Sequence, residues 1–427
     1  MTRKLIAIVV LAGPLALPVV PAAAAAPPAG LCTNADPARP VVRQLPWAQQ
    51  ALDPARVWPH STGSGVLVAV VDTGVDSGHP QLRAAGQVAA GEDFFQVGKL
   101  RADFDCDSHG TAVASIIAAG PASGIGFRGI APGARILPVR ISERGVTDGT
   151  TNEIDPLVLA QGIRYAADQG AKVINLSIAG PRDDRAVRQA VAYAQSRDAL
   201  VIAAAGNGQR DGEAGLPSYP AAYDGVIGVG AVDLEGNRLS QSQVGPYVDL
   251  VAPGGAVVGA TRRGGHSYFS GTSFAAPFVA GAAALVRAAW PQLNAKQVAQ
   301  RLLATASPAR GGSAASEYGA GMIDPYRAVT DGLSKGRPQA MPAMAHPAPD
   351  QVMLDAQATE RRLVSSAWQR TGLVVGVAML ILLVALILPA GLRQRWTPSR
   401  AAPLPSDRPR DEPPDQLFLL PPPPSER

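Results

Sequence analysis

Between about Ala51 and Val329, short runs of β-branched and other apolar residues alternate with longer Ala-rich stretches. VLVAVV (66–71), ARILPVRI (134–141), AKVINLS (171–177), ALVIAAA (199–205) and GVIGVGA (225–231) are nearly continuous in apolar residues. That is the pattern of strands covered on both faces, as in a parallel sheet. The intervening stretches near 111–119, 157–169 and 184–197 read as helices. Repeated strand, helix and strand predict βαβ units and a doubly wound α/β domain over 51–330, a parallel sheet with helices on both faces. In such sheets ligands collect at the carboxyl ends of strands. Asp72 and Asn207 both fall just past a predicted strand, on that functional edge.

The two ends follow other patterns. Arg3 and Lys4 precede an apolar run that leads to small residues such as Ala24 and Ala26, which predicts a secretory signal over 1–26. Pro14, Pro18 and Pro21 would interrupt a spanning helix, and Cys32 follows Leu31 where a lipoprotein signal carries a small residue. Residues 27–50 are then an N-terminal extension. A second apolar run, Gly372 to Leu392, carries no charge. At about 1.5 Å per residue it covers roughly 30 Å, the thickness of a bilayer core. It predicts a C-terminal transmembrane helix over 371–392, bracketed by Trp368 and Trp396 at headgroup level. Pro338, Pro342, Pro347 and Pro349 punctuate a linker over 331–370, and the Pro-rich tail 393–427 reads as disordered. With a signal peptide in front, the expected topology is a single-pass protein of the cell membrane, with the large domain extracytoplasmic and the tail cytoplasmic.

Composition changes this picture little. The net charge is +4 over 427 residues, and no run of five or six like charges appears, so nucleic acid is not an expected partner. There is no compact acidic loop of the calcium-binding kind, and neither a metal nor a cofactor is expected.

Candidate chemistry lies in VLVAVVDTGVDSGHP around Asp72, DSHGTAVAS around His109 and SGTSFAAPFVAG around Ser273. An Asp, a His and a Ser in that order match one of the chain orders in which the Ser-His-Asp triad occurs. Ser273 lies at the start of an Ala-rich helix, whose free N–H groups point at a developing oxyanion. Pro277 is expected early in that helix, where a missing N–H costs little. His109 opens a second small-residue helix and is placed to act as general base. Asp72 would orient the imidazole and stabilise its charged form, with Asp76 its local competitor. His60, His79, His266 and His346 are expected to be structural or solvated.

These segments, with VIAAAGN ending at Asn207, resemble the signatures of the subtilases. The resemblance implies a subtilisin-like fold and a serine endopeptidase working through an acyl-enzyme. It implies an Asn207 side chain that donates to the oxyanion beside the Ser273 N–H. NLSIAG (175–180) is similar to the family's substrate strand and AAAG (203–206) to the opposite pocket wall, which makes Ser177, Ile178, Ala179 and Gly206 expected substrate-binding positions.

A finer resemblance is to the mycosins, the membrane-anchored subtilases of mycobacterial type VII secretion systems. It rests on the signal peptide, DCDSHGTAVAS with its cysteine before the histidine, Phe274 in GTSFAAPFVAG, the Pro-rich linker and the single C-terminal span. It implies exported protein substrates and membrane subunits of the secretion complex as partners. An assembly subunit with little proteolytic duty and a general cell-surface protease are the alternative readings. Cys32 and Cys106 are the only cysteines, both expected outside the membrane where disulfides persist, and are predicted to pair. Further cysteines of the mycosin pattern are absent. Only about 25 residues separate Ala26 from Ala51, fewer than the roughly 40 a folded inhibitory domain needs. The extension is therefore expected to be a wrapped, disulfide-tethered arm that stays attached.

Overall fold

Alternation along the strands explains why their sequences are apolar throughout. In β1 (Leu67–Asp72), Val68 and Val70 enter one buried cluster while Ala69 and Val71 enter another on the opposite face of the sheet. The other strands of this sheet are β2 (Glu92–Asp93), β3 (Arg135–Arg140), β4 (Val173–Leu176), β5 (Leu200–Ala204), β6 (Ile227–Val232) and β7 (Leu250–Pro253). They lie in the order β2-β3-β1-β4-β5-β6-β7, and every neighbouring pair is parallel. A separate antiparallel hairpin is formed by β8 (Val257–Ala260) and β9 (His266–Phe269). The computed structural model describes residues 32, 37–84, 86–96, 100–143, 154–210, 215–309, 315–332 and 376.

Helices cover both faces, as expected. They are α1 (Trp47–Leu52), α2 (His109–Ala118), α3 (Pro156–Asp168), α4 (Arg185–Ser196), α5 (Thr272–Ala289), α6 (Ala295–Ala304), α7 (Ala315–Tyr318) and α8 (Pro325–Thr330). Ile116, Phe278 and Leu302 from α2, α5 and α6 pack on Val68, Val70 and Ile202, whereas Ile163 and Val191 from α3 and α4 pack on Ala69, Val71 and Val201. Local signals set the helix starts. Asp155 accepts from Leu157 N with Pro156 in the first turn, Asp184 accepts from Ala186 N and Val187 N, and Asn294 with Gln297 forms a capping box.

The N-terminal arm lies along the hairpin. Arg39 N donates to Gly264 O at 3.2 Å, His266 N to Pro40 O at 3.0 Å and Gly126 N to Arg43 O at 2.9 Å. The arm then enters α1, whose Ala48 and Leu52 join the core, so this helix crosses position 50. Cys32 and Cys106 form a disulfide with Cα atoms 5.4 Å apart, which ties the arm's beginning to the segment before His109.

The chain divides into two compact units, Met1–His346 and Pro347–Arg427. The expected signal 1–26, the tail 393–427, all of 371–392 except Gly376, and all of the linker 331–370 except Asp331 and Gly332 lie outside the described residues. Among the described residues one helix, Thr272–Ala289, is long and apolar enough to cross a membrane, and it is buried in the core.

Candidate active site

Asp72 ends the interior strand β1 and is almost fully buried. Its Oδ1 accepts the Thr73 N–H at 2.7 Å and lies 2.7 Å from Nδ1 of His109, the first residue of α2. Its Oδ2 is buried without a partner among the described residues, so the charge is balanced chiefly by the imidazole. Gly110 permits this approach, because a Cβ there would lie 2.1 Å from Gly74 O. Burial disfavours a charged His109, but the charge and hydrogen bond of Asp72, with the charges of Asp107 and Asp105, outweigh it and raise the pKa above the ordinary 6.5. Asp76 does not compete for this role. Its carboxylate accepts from Gly78 N and Arg263 N instead.

A buried residue that the sequence reading passed over braces this pair. Asp105 Oδ2 accepts from Thr111 N at 2.9 Å and Thr111 Oγ1 at 2.7 Å, while Oδ1 accepts from Thr73 Oγ1 at 3.0 Å and Asp107 N at 2.9 Å. Thr73 Oγ1 in turn accepts from Gly110 N at 2.9 Å. One carboxylate thus joins the residue after Asp72 to the first turn of α2. Burial lifts the Asp105 carboxyl to about 6 against the Thr111 and Asp107 donors, which favour its charged form.

Ser273 is the second residue of α5, which follows Gly271 at a φ of 134°. Its hydroxyl donates to Ser177 O at 3.2 Å, and Ser177 Oγ donates back to Ser273 O at 2.6 Å while accepting from Asn175 Nδ2 at 2.9 Å. The return bond corrects the expectation for Pro277. That proline lies inside the helix, not in its first turn, and removes the N–H that Ser273 O would have received from four residues on. The Ser177 hydroxyl supplies the missing donor. Phe274 packs its ring 5.0 Å from that of His109 and stacks on Phe269 at 4.7 Å.

Asn207 is held from the same helix. Its Oδ1 accepts from Thr272 N at 2.9 Å and Thr272 Oγ1 at 3.1 Å, and Thr272 Oγ1 accepts from Gly206 N at 3.0 Å. With the oxygen engaged, the Nδ2 donors remain for a ligand. Ser273, Asn207 and all four expected substrate positions, Ser177, Ile178, Ala179 and Gly206, line one cavity of about 270 Å³. Asp72 and His109 are not part of that lining.

The other described histidines lie away from this pocket. His79 and His266 are buried side by side, His60 stands edge-on to Tyr326, and His346 lies outside the described residues. Among the described residues no group of three or more His, Cys, Asp or Glu is arranged to hold a metal ion.

The profile of the subtilase family, Peptidase_S8, matches residues 63–321. The chain belongs to the subtilase family. Thermitase from Thermoactinomyces vulgaris is 38% identical over 250 residues, 58% of this chain and 85% of thermitase. Mycosin-4 from Mycobacterium tuberculosis is 37% identical over 362 residues, 75% of this chain and 77% of that protein. Among solved structures, the MycP3 protease from the type VII (ESX-3) secretion system matches with a TM-score of 0.56 and 35% identity, over 68% of this chain and 88% of that one. MycP1 from Mycobacterium smegmatis matches with a TM-score of 0.60 and 31% identity, over 73% of this chain and 92% of that one. The protein is therefore a mycosin-like serine protease of the subtilisin type.

Proposed function

We propose that the protein is a membrane-anchored extracytoplasmic endopeptidase whose chemistry runs through Ser273, His109 and Asp72. The observation that carries this reading is the buried 2.7 Å contact of His109 with Asp72, while Phe274, the residue after Ser273 in α5, packs against the His109 ring. In this reading the Ser273 hydroxyl leaves the Ser177 carbonyl, to which it donates at rest, and turns to His109. Oγ then attacks the scissile carbonyl as His109 Nε2 takes its proton, and Asp72 stabilises the imidazolium. Asn207 Nδ2 and the Ser273 N–H meet the oxyanion. The protonated His109 gives its proton to the leaving amine, and water hydrolyses the acyl-enzyme by the same groups.

Ser273→Ala should abolish cleavage of peptides while the thermal unfolding temperature stays near that of the wild type. Retained cleavage would exclude this serine as nucleophile. Asn207→Ala should keep measurable activity with kcat lowered by about 100- to 1,000-fold.

Similarity to mycosin-4 and to the MycP proteases supports a place beside a type VII secretion complex, with exported proteins as substrates. Segment 371–392 supplies the anchor in this reading, and the disulfide-held arm remains attached in the active enzyme. Terminal proteomics of secreted proteins from cells carrying wild type or Ser273→Ala tests the substrate class. Unchanged termini would leave the secretion role without support.

A further inference from the structure

Among the described residues, none that lines the cavity beside Ser273 carries a charged side chain. Ile178, Ala179, Ala204, Leu216 and Pro217 give it apolar walls. Most of its polar side chains are engaged elsewhere. Ser177 serves Ser273 O, Thr272 and Asn207 hold each other, and the Asn207 Nδ2 and Ser273 Oγ belong to the reacting carbonyl. Gln243 is different. Its backbone N donates to Gly206 O at 2.9 Å, which fixes the residue against the wall that carries Asn207. A Cβ on Gly206 would lie 1.6 Å from Gln243 Oε1, and one on Gly208 would lie 3.6 Å from its Nε2. The carboxamide is thus laid across Gly206 and Gly208, in space left by the missing side chain of Gly206, whose φ is 102°. Gln243 is only 7% exposed, and its amide makes no hydrogen bond among the described residues.

Resting on the catalytic reading above, we propose that Gln243 selects the substrate side chain that precedes the scissile bond, favouring a carboxamide, Asn or Gln. An extended substrate paired along 177–179, with its carbonyl at Ser273, directs that side chain into this cavity. A carboxamide there can donate to Gln243 Oε1 and accept from Nε2, so both amides are satisfied. An apolar side chain of the same shape leaves the Gln243 amide desolvated and unpaired, a loss of roughly 10- to 100-fold. A charged side chain meets no counter-charge and is excluded more strongly.

The test uses peptides identical except for that residue, Asn or its near-isostere Leu. Wild-type enzyme should cleave the Asn peptide with a kcat/KM roughly tenfold or more above the Leu peptide. Gln243→Met, which keeps the length and removes the hydrogen bonds, should lower the value for Asn and raise it for Leu. A merely structural role would lower both alike. Binding of the same peptides to Ser273→Ala, followed by fluorescence anisotropy, should give the same order and the same reversal in the double variant. Preference for Leu in the wild type, or an order unmoved by Gln243→Met, overturns the proposal. Because binding to Ser273→Ala needs no turnover, the pocket is tested even if a different residue proves to be the nucleophile.

Discussion

Among the described residues two sites bury histidine, and they treat its charge in opposite ways. At His109 the neighbours are carboxylates, and they raise the pKa against the effect of burial. At the His79–His266 pair, ring centroids 5.9 Å apart, burial wins: His79 is lowered, and His266 falls to about 4, with a small further push from His79. The contacts explain the difference. Val42 N donates to His266 Nδ1 at 3.1 Å, so the proton sits on Nε2, 2.7 Å from Gln81 Oε1. Gln81 N donates to His79 Nδ1 at 3.2 Å, leaving Nε2 to donate to Gly265 O at 3.1 Å. Each ring of the pair is fully satisfied when neutral, and a second proton would face an N–H. Among the described residues His109 has only its Asp72 side satisfied, with the other nitrogen left for chemistry. Burial alone therefore does not mark a catalytic histidine; a buried carboxylate partner and an unengaged second nitrogen do.

The largest effect that could break this contrast is Asp72→Asn. Without the charge, kcat should fall by about 10,000-fold, as expected when the partner of a triad histidine loses its charge. In the wild type the raised His109 pKa should put the acid limb of kcat/KM above pH 6.5, since the base must be neutral to act. A rate for Asp72→Asn within tenfold of the wild type on the same peptide would place the electrostatic support elsewhere.

A smaller loss, roughly 10- to 100-fold in kcat with KM little changed, is expected for Asp105→Asn, because Thr73 and Thr111 lose a common acceptor and the reacting groups drift apart. Asp105 also helps hold the His109 pKa up, so the acid limb should move to lower pH. A fall in rate with no movement of that limb would reduce Asp105 to scaffolding.

The smallest expected effect is on the neutral pair and concerns stability. The folded pKa of His266 is depressed below the ordinary 6.5, so its contribution is present above pH 6.5 and is lost as pH falls toward about 4. His79 acts in the same sense. Acid should loosen the arm at Val42, and His266→Gln, which cannot titrate, should flatten the fall of unfolding temperature across that window. An equally steep fall in the variant would assign the acid sensitivity to other groups. For His109 the sign is reversed: its raised pKa contributes stability that is present below pH 6.5 and is lost as pH rises through the folded value.

Much of the architecture was legible because the sheet is covered on both sides. The apolar run at 199–205 contains β5, Leu200–Ala204, and the stretch at 184–197 contains α4, Arg185–Ser196, since a doubly buried strand and an amphipathic helix leave clear patterns. Strand β7, Leu250–Pro253, and the hairpin β8–β9 gave no such pattern. Each strand has four residues, and Gly and Pro border the segments, so no period can develop. In the site, motifs pointed to the residues proposed for chemistry but not to those that hold them. Thr73, Asp105 and Thr111 stand inside the quoted motifs, yet their shared hydrogen bonds depend on how β1 meets α2. Gln243 lies in the polar run SQSQVG, where nothing local tells that its amide turns inward beside Gly206.

The Cys32–Cys106 bond closes a covalent ring of chain, with a sequence separation of 74 between its ends. A single cut anywhere inside that ring opens it without releasing a piece. An arm nicked by this enzyme or another would therefore travel with the protease domain as two chains in one molecule, parting only under a reductant. Maturation of this protein can thus be a change of connectivity with no change of mass beyond one water, visible on a reducing gel and silent on a non-reducing one.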